Sequence, residues 1–264
     1  MRYRDRAICV RTTDYSETSQ VVHFFTRTEG LVSLIAKGSK RKKSKSGGAI
    51  DLLSQGDLVW SGKNSEALGI VIEFTETVSR TPLRRARGPL YTALLMIELI
   101  DRFMKEGDPH PEVFDLLDKA VTRLCQPDAP APAVLAYFQW RLLRSAGLMG
   151  DMVHCTDCDK QVLGAGVDRD RPVYFSSRLG GLLCEDCEHA SMEKYPLDAE
   201  TLEGMEILHT VGAGKRRPLP DPQAHAVNRL LAYHIVEQTS KPLRLEKYAI
   251  GKKGEAKKPG PPSR

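Results

Sequence analysis

The chain has 264 residues, 41% hydrophobic and 28% charged, with a formal net charge of +5 and a pI near 8.8. That is an ordinary globular balance, with length for two or three modest domains, and it does not fit a disordered or membrane-spanning chain. So mild an excess of positive charge does not by itself select a nucleic-acid partner, so the distribution of charge has to decide.

Residues 1–80 read as strand. Ala7–Val10, Gln20–Thr26, Gly30–Ala36, Leu58–Trp60 and Ala67–Thr75 are short apolar runs punctuated by Gly30, Gly38, Gly56 and Gly62. The charged opening, Met1–Asp5, has no apolar stretch of the signal-peptide kind, and none is expected. Five short strands without intervening helices predict a small closed barrel, because closure removes exposed sheet edges. An OB-fold is the most economical choice, with an SH3-like barrel as the alternative.

Charge gathers between the third and fourth runs. Lys37, Lys40, Arg41, Lys42, Lys43 and Lys45 fall within nine residues without an acid among them, and Ser46-Gly47-Gly48 follows. A flexible loop of one sign beside a barrel face suits a phosphate backbone, and the plainer alternative is a solubilising loop. Arg2, Arg4 and Arg6 can add to the same face. Stacking on unpaired bases calls for exposed aromatics. Tyr15, in the polar turn Asp14–Glu17, is the first candidate and Trp60 the second, while Phe24 and Phe74 read as core.

From Thr81 the period becomes helical. Residues 81–150 carry three amphipathic stretches: Leu90 to Met104, Val113 to Leu124 and Val134 to Leu143. Pro82, Gly107–Pro111 and Pro127–Pro132 separate them, and a small bundle is expected. The longest apolar run, around Leu90–Ile100, contains Glu98 and is too short to span a membrane.

Residues 151–192 hold the most specific signal. Cys155-Thr-Asp-Cys158 is answered, 25 residues on, by Cys184-Glu-Asp-Cys187. Each CxxC turn aims two thiolates at one ion, and two turns complete a tetrahedron. One structural Zn²⁺ per chain is expected, although iron fits the same ligands, and a metal-free knuckle or a redox dithiol pair are the other readings. Four sulfurs leave no open position for substrate or water, so the ion would not be catalytic. His154 and His189 flank the site and could replace a cysteine, although surface roles are the plainer reading. Val173–Phe175 is strand-like, and Gly180-Gly181 leads into the second knuckle. Cys9 and Cys125, isolated in apolar runs, read as buried thiols. Nothing suggests a disulfide framework, so a reducing cytoplasm fits.

Helices return over Leu197–Val211 and Gln223–Gln238, and segment 193–248 is expected to pack back on the bundle with His234 as a satisfied core histidine. The Gly/Lys/Pro-rich stretch 249–264 reads as a disordered basic tail. There is no GxGxxG, Walker A lysine motif, GxSxG or HExxH, and no cluster of carboxylates that would hold Mg²⁺ for a nuclease. The chain therefore reads as non-enzymatic.

The order of barrel, helices, double knuckle and further helices resembles the RecO family of bacterial DNA repair and recombination mediators. The motifs that carry the likeness are Asp14-x-Ser16-Glu17, Phe25-Thr26-x-x-x-Gly30 and Lys37-Gly38 with its basic followers, then Gly180-Gly181-Leu-Leu-Cys184 and Lys241-Pro-Leu-Arg244. The last differs from the family pattern in having Arg244 for lysine and Leu245 for serine. The likeness reaches to about residue 248. It implies an N-terminal OB-fold that binds single- and double-stranded DNA, strand annealing, and help in loading RecA recombinase onto DNA coated by single-strand-binding protein. It also implies partners: RecR, RecF, the C-terminal tail of single-strand-binding protein, and indirectly RecA, with no membrane, in the nucleoid-associated cytoplasm. A competing reading is a non-catalytic protein adaptor whose helical domain docks partner tails, with DNA contact secondary.

Overall fold

The computed structural model describes residues 1–41, 48–62, 68–164, 166–168, 170–212 and 217–251. Lys42, Lys43 and Lys45 of the cationic loop and the basic tail from 252 onward lie outside the described residues. The chain divides into two compact units, Met1–Ala146 and Gly147–Arg264.

The first unit opens with five strands, β1 (Arg2–Asp14), β2 (Gln20–Thr26), β3 (Gly30–Ala36), β4 (Gln55–Ser61) and β5 (Gly69–Val78). They close in the order β1-β2-β3-β5-β4, with β3 and β5 parallel. This is the OB-fold, and the SH3-like alternative is set aside. β1 is far longer than the four-residue run expected from sequence. Its first half pairs with β4, from Arg2↔Ser61 to Ile8↔Gln55, and its second half with β2, from Ala7↔Thr26 to Asp14↔Gln20. One strand thus serves two neighbours, with an irregularity between Cys9 and Arg11 where it changes partner. Arg2, Arg4, Arg6 and Arg11 are exposed along it, which hid the strand from any search for apolar runs.

Alternation fills the barrel. Ala7, Cys9, Val22, Phe24, Leu34, Leu58, Trp60 and Phe74 share one interior cluster. Trp60 corrects an expectation. It is only 4% exposed and stacks on Tyr3 at 5.2 Å between ring centroids, so it is a core residue and no platform for bases. Burial also pushes the Cys9 thiol far above its ordinary range, as suits an inert core cysteine.

A 3-10 turn (Thr81–Arg85) leads to α1 (Arg87–Phe103), α2 (Pro111–Leu124) and α3 (Ala131–Ser145). Prolines stand in the first turn of each, at 89, 111 and 132, where the missing N–H costs no helical bond. α1 is buried almost all round, from Thr92 to Ile100, because it packs against β1, α2 and α3. The barrel and these helices are tied by Arg27 paired with Asp115 through two bonds of 2.9 and 3.0 Å. Phe25 lies against Phe114 at 5.8 Å. Leu31 bonds to the α1–α2 loop through Lys105 and Gly107. Gly30 ends the Phe-Thr-x-x-x-Gly motif, and a Cβ there would collide with the Asp108 backbone. The motif glycine is thus a point of close approach between hairpin and helical loop.

The second unit holds a small sheet in the order β7 (Gly181–Cys184), β6 (Val173–Ser176), β8 (Tyr195–Pro196), then α4 (Ala199–Gly212), α5 (Asp221–Thr239) and α6 (Glu246–Ala249). His234 of α5 is fully buried. Its Nε2 donates to the Leu148 carbonyl at 2.8 Å, and its Nδ1 accepts from the Ser177 hydroxyl at 2.8 Å. It is the satisfied core histidine expected. Leu243 of the Lys-Pro-Leu-Arg segment and Ile250 are also buried, so packed residues continue past 248. Among the described residues no helix is long and apolar enough to cross a membrane.

Candidate metal centre and nucleic-acid interface

The four knuckle cysteines come together. The sulfurs of Cys155, Cys158, Cys184 and Cys187 all lie within 4.8 Å of one another. A tetrahedron with ~2.3 Å metal–sulfur bonds has edges of about 3.8 Å, and Cys158 Sγ stands 3.7 Å from Cys184 Sγ. The donor set and spacing therefore fit a single ion such as Zn²⁺.

Local structure explains the convergence. In the first knuckle the Cys155 amide donates to the Lys160 carbonyl at 2.8 Å, while the Asp159 amide donates to the Cys155 carbonyl at 3.0 Å with Asp159 at φ +59°. In the second, Cys184 ends β7 and Cys187 sits in a 3-10 turn (Glu185–Ala190). The two halves are joined by the Thr156 amide and hydroxyl, which both donate to the Leu182 carbonyl at 2.8 and 3.0 Å. Gly180 adopts φ +66°, and any side chain at Gly181 would strike Thr156 Cγ2. Both glycines of the motif are thus required by geometry.

The thiols are prepared unequally. Burial opposes ionisation of Cys155, but the backbone amides of Cys158, Cys184 and Asp157 aimed at its sulfur prevail, and its pKa falls to about 7. Cys184 is held above its ordinary value, chiefly by burial. Cys187 is held far above it by the Asp157 carboxylate and then by the Cys158 sulfur. Amide donors around a sulfur are the outer support that thiolate–metal sites use. A divalent cation would supply the charge that lets all four ionise. His154 does not join the cluster: its Nδ1 bonds to Asp151 Oδ2 at 2.6 Å, and that bond raises its pKa. His189 is exposed.

The surroundings of the knuckles are acidic. Residues 147–212 contain thirteen Asp and Glu against five Lys and Arg, in a chain that is positive overall. Such a surface repels phosphate.

Positive charge lies on the barrel. The β1–β2 turn and the start of the β3–β4 loop are stitched together at one rim by buried Gln20. Its Oε1 accepts from Ser39 Oγ at 2.9 Å and from the Ile50 amide at 3.0 Å, and its Nε2 donates to the Ile50 carbonyl at 3.2 Å. The Lys40 amide donates to the Thr18 carbonyl at 3.1 Å, and the Gly38 amide to Ser19 Oγ at 3.1 Å. Tyr15 stands on this rim, 63% exposed. Lys37 and Arg41 are exposed there too, with no acidic partner among the described residues. Lys40 differs: its Nζ pairs with Asp14 Oδ1 at 2.6 Å. That pairing is hidden in the local sequence, because the acid lies 26 residues away, across the β1–β2 rim. Arg2 and Arg4 are exposed on the first half of β1, Arg4 reaching Asp57 at 4.0 Å.

Comparison with known proteins agrees with this architecture. Family models described as Recombination protein O N terminal and Recombination protein O C terminal match residues 1–78 and 86–246. Among similar curated proteins is the DNA repair protein RecO of Anaeromyxobacter dehalogenans strain 2CP-C, 32% identical over 249 residues and covering 89% of this chain and 92% of the relative. The protein of the same name from Myxococcus xanthus is 29% identical over 240 residues, covering 89% and 93%. That from Bacillus pumilus is 25% identical over 211 residues, covering 79% and 77%.

Proposed function

This chain belongs to the RecO family, and from that premise we propose that it is a non-catalytic DNA-binding mediator of recombinational repair. It anneals complementary single strands and helps load RecA recombinase onto DNA coated by single-strand-binding protein. Its partners are single- and double-stranded DNA, RecR, RecF and the C-terminal tail of single-strand-binding protein, in the nucleoid-associated cytoplasm. The observation that carries the reading is the barrel rim where Lys37 and Arg41 stand exposed beside Tyr15, at the root of a loop that continues with Lys42, Lys43 and Lys45. Arg2 and Arg4 extend the cationic surface along β1. The quartet Cys155, Cys158, Cys184 and Cys187 holds one Zn²⁺, which staples the ribbon; the acidity of that region keeps it from being a second DNA surface.

Binding to labelled single-stranded and duplex DNA across a salt series tests the reading. Affinity falls steeply with salt, and replacing Lys37, Arg41, Lys42, Lys43 and Lys45 with Ala flattens the slope by about one for each phosphate the variant no longer neutralises. A folded variant with an unchanged slope overturns it.

A further inference from the structure

The strand registers place an apolar row on the outside of the barrel. Arg2 pairs with Ser61, Ser61 with Ile70, Ile70 with Ile35, Ile35 with Val21 and Val21 with Thr13. Directly paired residues share a face, and the inward row beside this one, which includes Trp60 and Leu34, fills the core. The paired row therefore faces outward. Val21 and Ile35 are half-buried, Ile70 is 36% exposed, and Leu68 just before it is 45% exposed. Three aliphatic side chains in line over β2, β3 and β5 reach across about 10 Å of sheet.

The outer face of a barrel strand is ordinarily polar, so a contiguous apolar row there marks a surface that something covers. The far end of the same β2–β3 face is already covered, since Phe25 and Leu31 meet the helices. Along the row itself Ile70, with Leu68 beside it, stays open to solvent, and Val21 and Ile35 are partly so. Its ends indicate the occupant: Arg2 closes one end, Tyr15 stands two residues beyond Thr13 at the other, and the Lys37–Arg41 segment follows Ile35 and Ala36 directly. Apolar in the middle, with Arg2 at one end and exposed Lys37 and Arg41 beside it on the β3 side, the row complements a strand whose bases are unpaired and whose backbone is anionic.

We propose that Val21, Ile35 and Ile70 form an aliphatic bed for unpaired nucleobases, giving the barrel a single-strand contact that duplex DNA cannot make. This rests on the nucleic-acid reading above and adds to it the residues that separate single strands from duplex. Aliphatic contacts have no hydrogen-bonding code, so the bed is indifferent to base identity.

The test uses the full chain carrying Ile35→Thr and Ile70→Thr together, substitutions that keep the β-branched shape a strand favours. A labelled single-stranded oligonucleotide and the same sequence as duplex are titrated at one salt concentration. The expected result is a loss of about tenfold for the single strand, with duplex affinity and the salt slope unchanged. An Ile35→Val, Ile70→Val variant retains single-strand affinity. Equal losses on both DNAs, or no loss on the single strand while the native chain binds it, overturn the proposal and leave the cationic rim standing. A native chain that binds neither DNA overturns the underlying reading and this proposal together. If the threonine variant instead loses self-association or capture of a protein partner with its DNA affinities intact, the row is a protein interface and the proposal fails.

Discussion

Arg80 and Asp118 form, among the described residues, the least exposed ion pair joining the barrel to the helices, with Arg80 Nη2 2.7 Å from Asp118 Oδ1 and the arginine side chain only 8% exposed. The same guanidinium bonds to Gln55 of β4 and to Thr122 of α2, and the other Asp118 oxygen accepts from Arg6 at 3.0 Å. Asp118→Ala leaves Arg80 charged and nearly buried without its partner. Removing one member of a buried pair costs ~3–5 kcal/mol; Asp118 is 24% exposed, so about 2–3 kcal/mol is expected. Denaturant midpoints measure it. Arg80→Met with Asp118→Leu, which removes both charges, destabilises less than Asp118→Ala alone.

The Cys155 quartet predicts one equivalent of Zn²⁺ per chain by metal analysis of freshly purified protein. Cys155→Ser or Cys184→Ser lowers thermal stability and metal content while single-strand affinity, held on the barrel, stays near native. Freshly purified native protein without metal would count against the assignment.

Gly181→Ala forces a methyl group into Thr156 Cγ2. A cost of about 1–3 kcal/mol is expected for such overpacking, seen as a lowered melting temperature and easier loss of metal to a chelator. Thr156→Ser removes the colliding methyl and keeps the hydroxyl that bonds to Leu182, so the double variant recovers part of the loss. No recovery would place the damage elsewhere.

His234 gives a pH dependence of known sign. Burial disfavours its imidazolium, so in the folded chain it takes up a proton only below its ordinary value of 6.5. Between those values the unfolded chain holds more protons than the folded one. Its contribution is therefore complete above about 6.5 and declines as pH falls below that. Acidification also protonates the Cys155 sulfur, so the useful quantity is the difference between native protein and His234→Gln. That stability difference narrows as pH drops from about 7.5 to about 5.5, read from denaturant midpoints; a constant difference contradicts the account.

The rim cations are not equivalent. Lys40 already pairs with Asp14, whereas Lys37 and Arg41 have no acidic partner among the described residues. Lys37→Ala and Arg41→Ala each lower the salt slope of DNA binding by about one, and Lys40→Ala lowers it by less. Asp14→Asn, which frees Lys40, raises affinity. A larger slope change for Lys40 than for Arg41 would reverse this ranking.

The sequence was most legible where local pattern decides. β2 and β3 have the bounds their apolar runs and glycines marked, and the knuckle spacing led directly to a sulfur cluster. The extent of β1 was hidden because its outward arginines interrupt the apolar run, and only pairing with two different strands reveals it. The inward turn of Trp60 is itself written in the local pattern: Gly56, Leu58 and Trp60 alternate with Asp57, Val59 and Ser61, which points the indole at the core. The Lys40–Asp14 pair and the row through Val21, Ile35 and Ile70 depend on register between strands distant in sequence, which no local period carries.

Among the described residues the parallel β3–β5 pairing comprises Leu34↔Gly69 and Ile35↔Ile70, against seven pairs between β1 and β4. A cylinder fastened so briefly along one edge unzips there first, and its amides trade protons with solvent soonest at that hem. A ligand lying across Ile35 and Ile70 would bridge this gap like a clasp, slowing exchange on both strands at once and coupling occupancy of the outer face to closure of the ring.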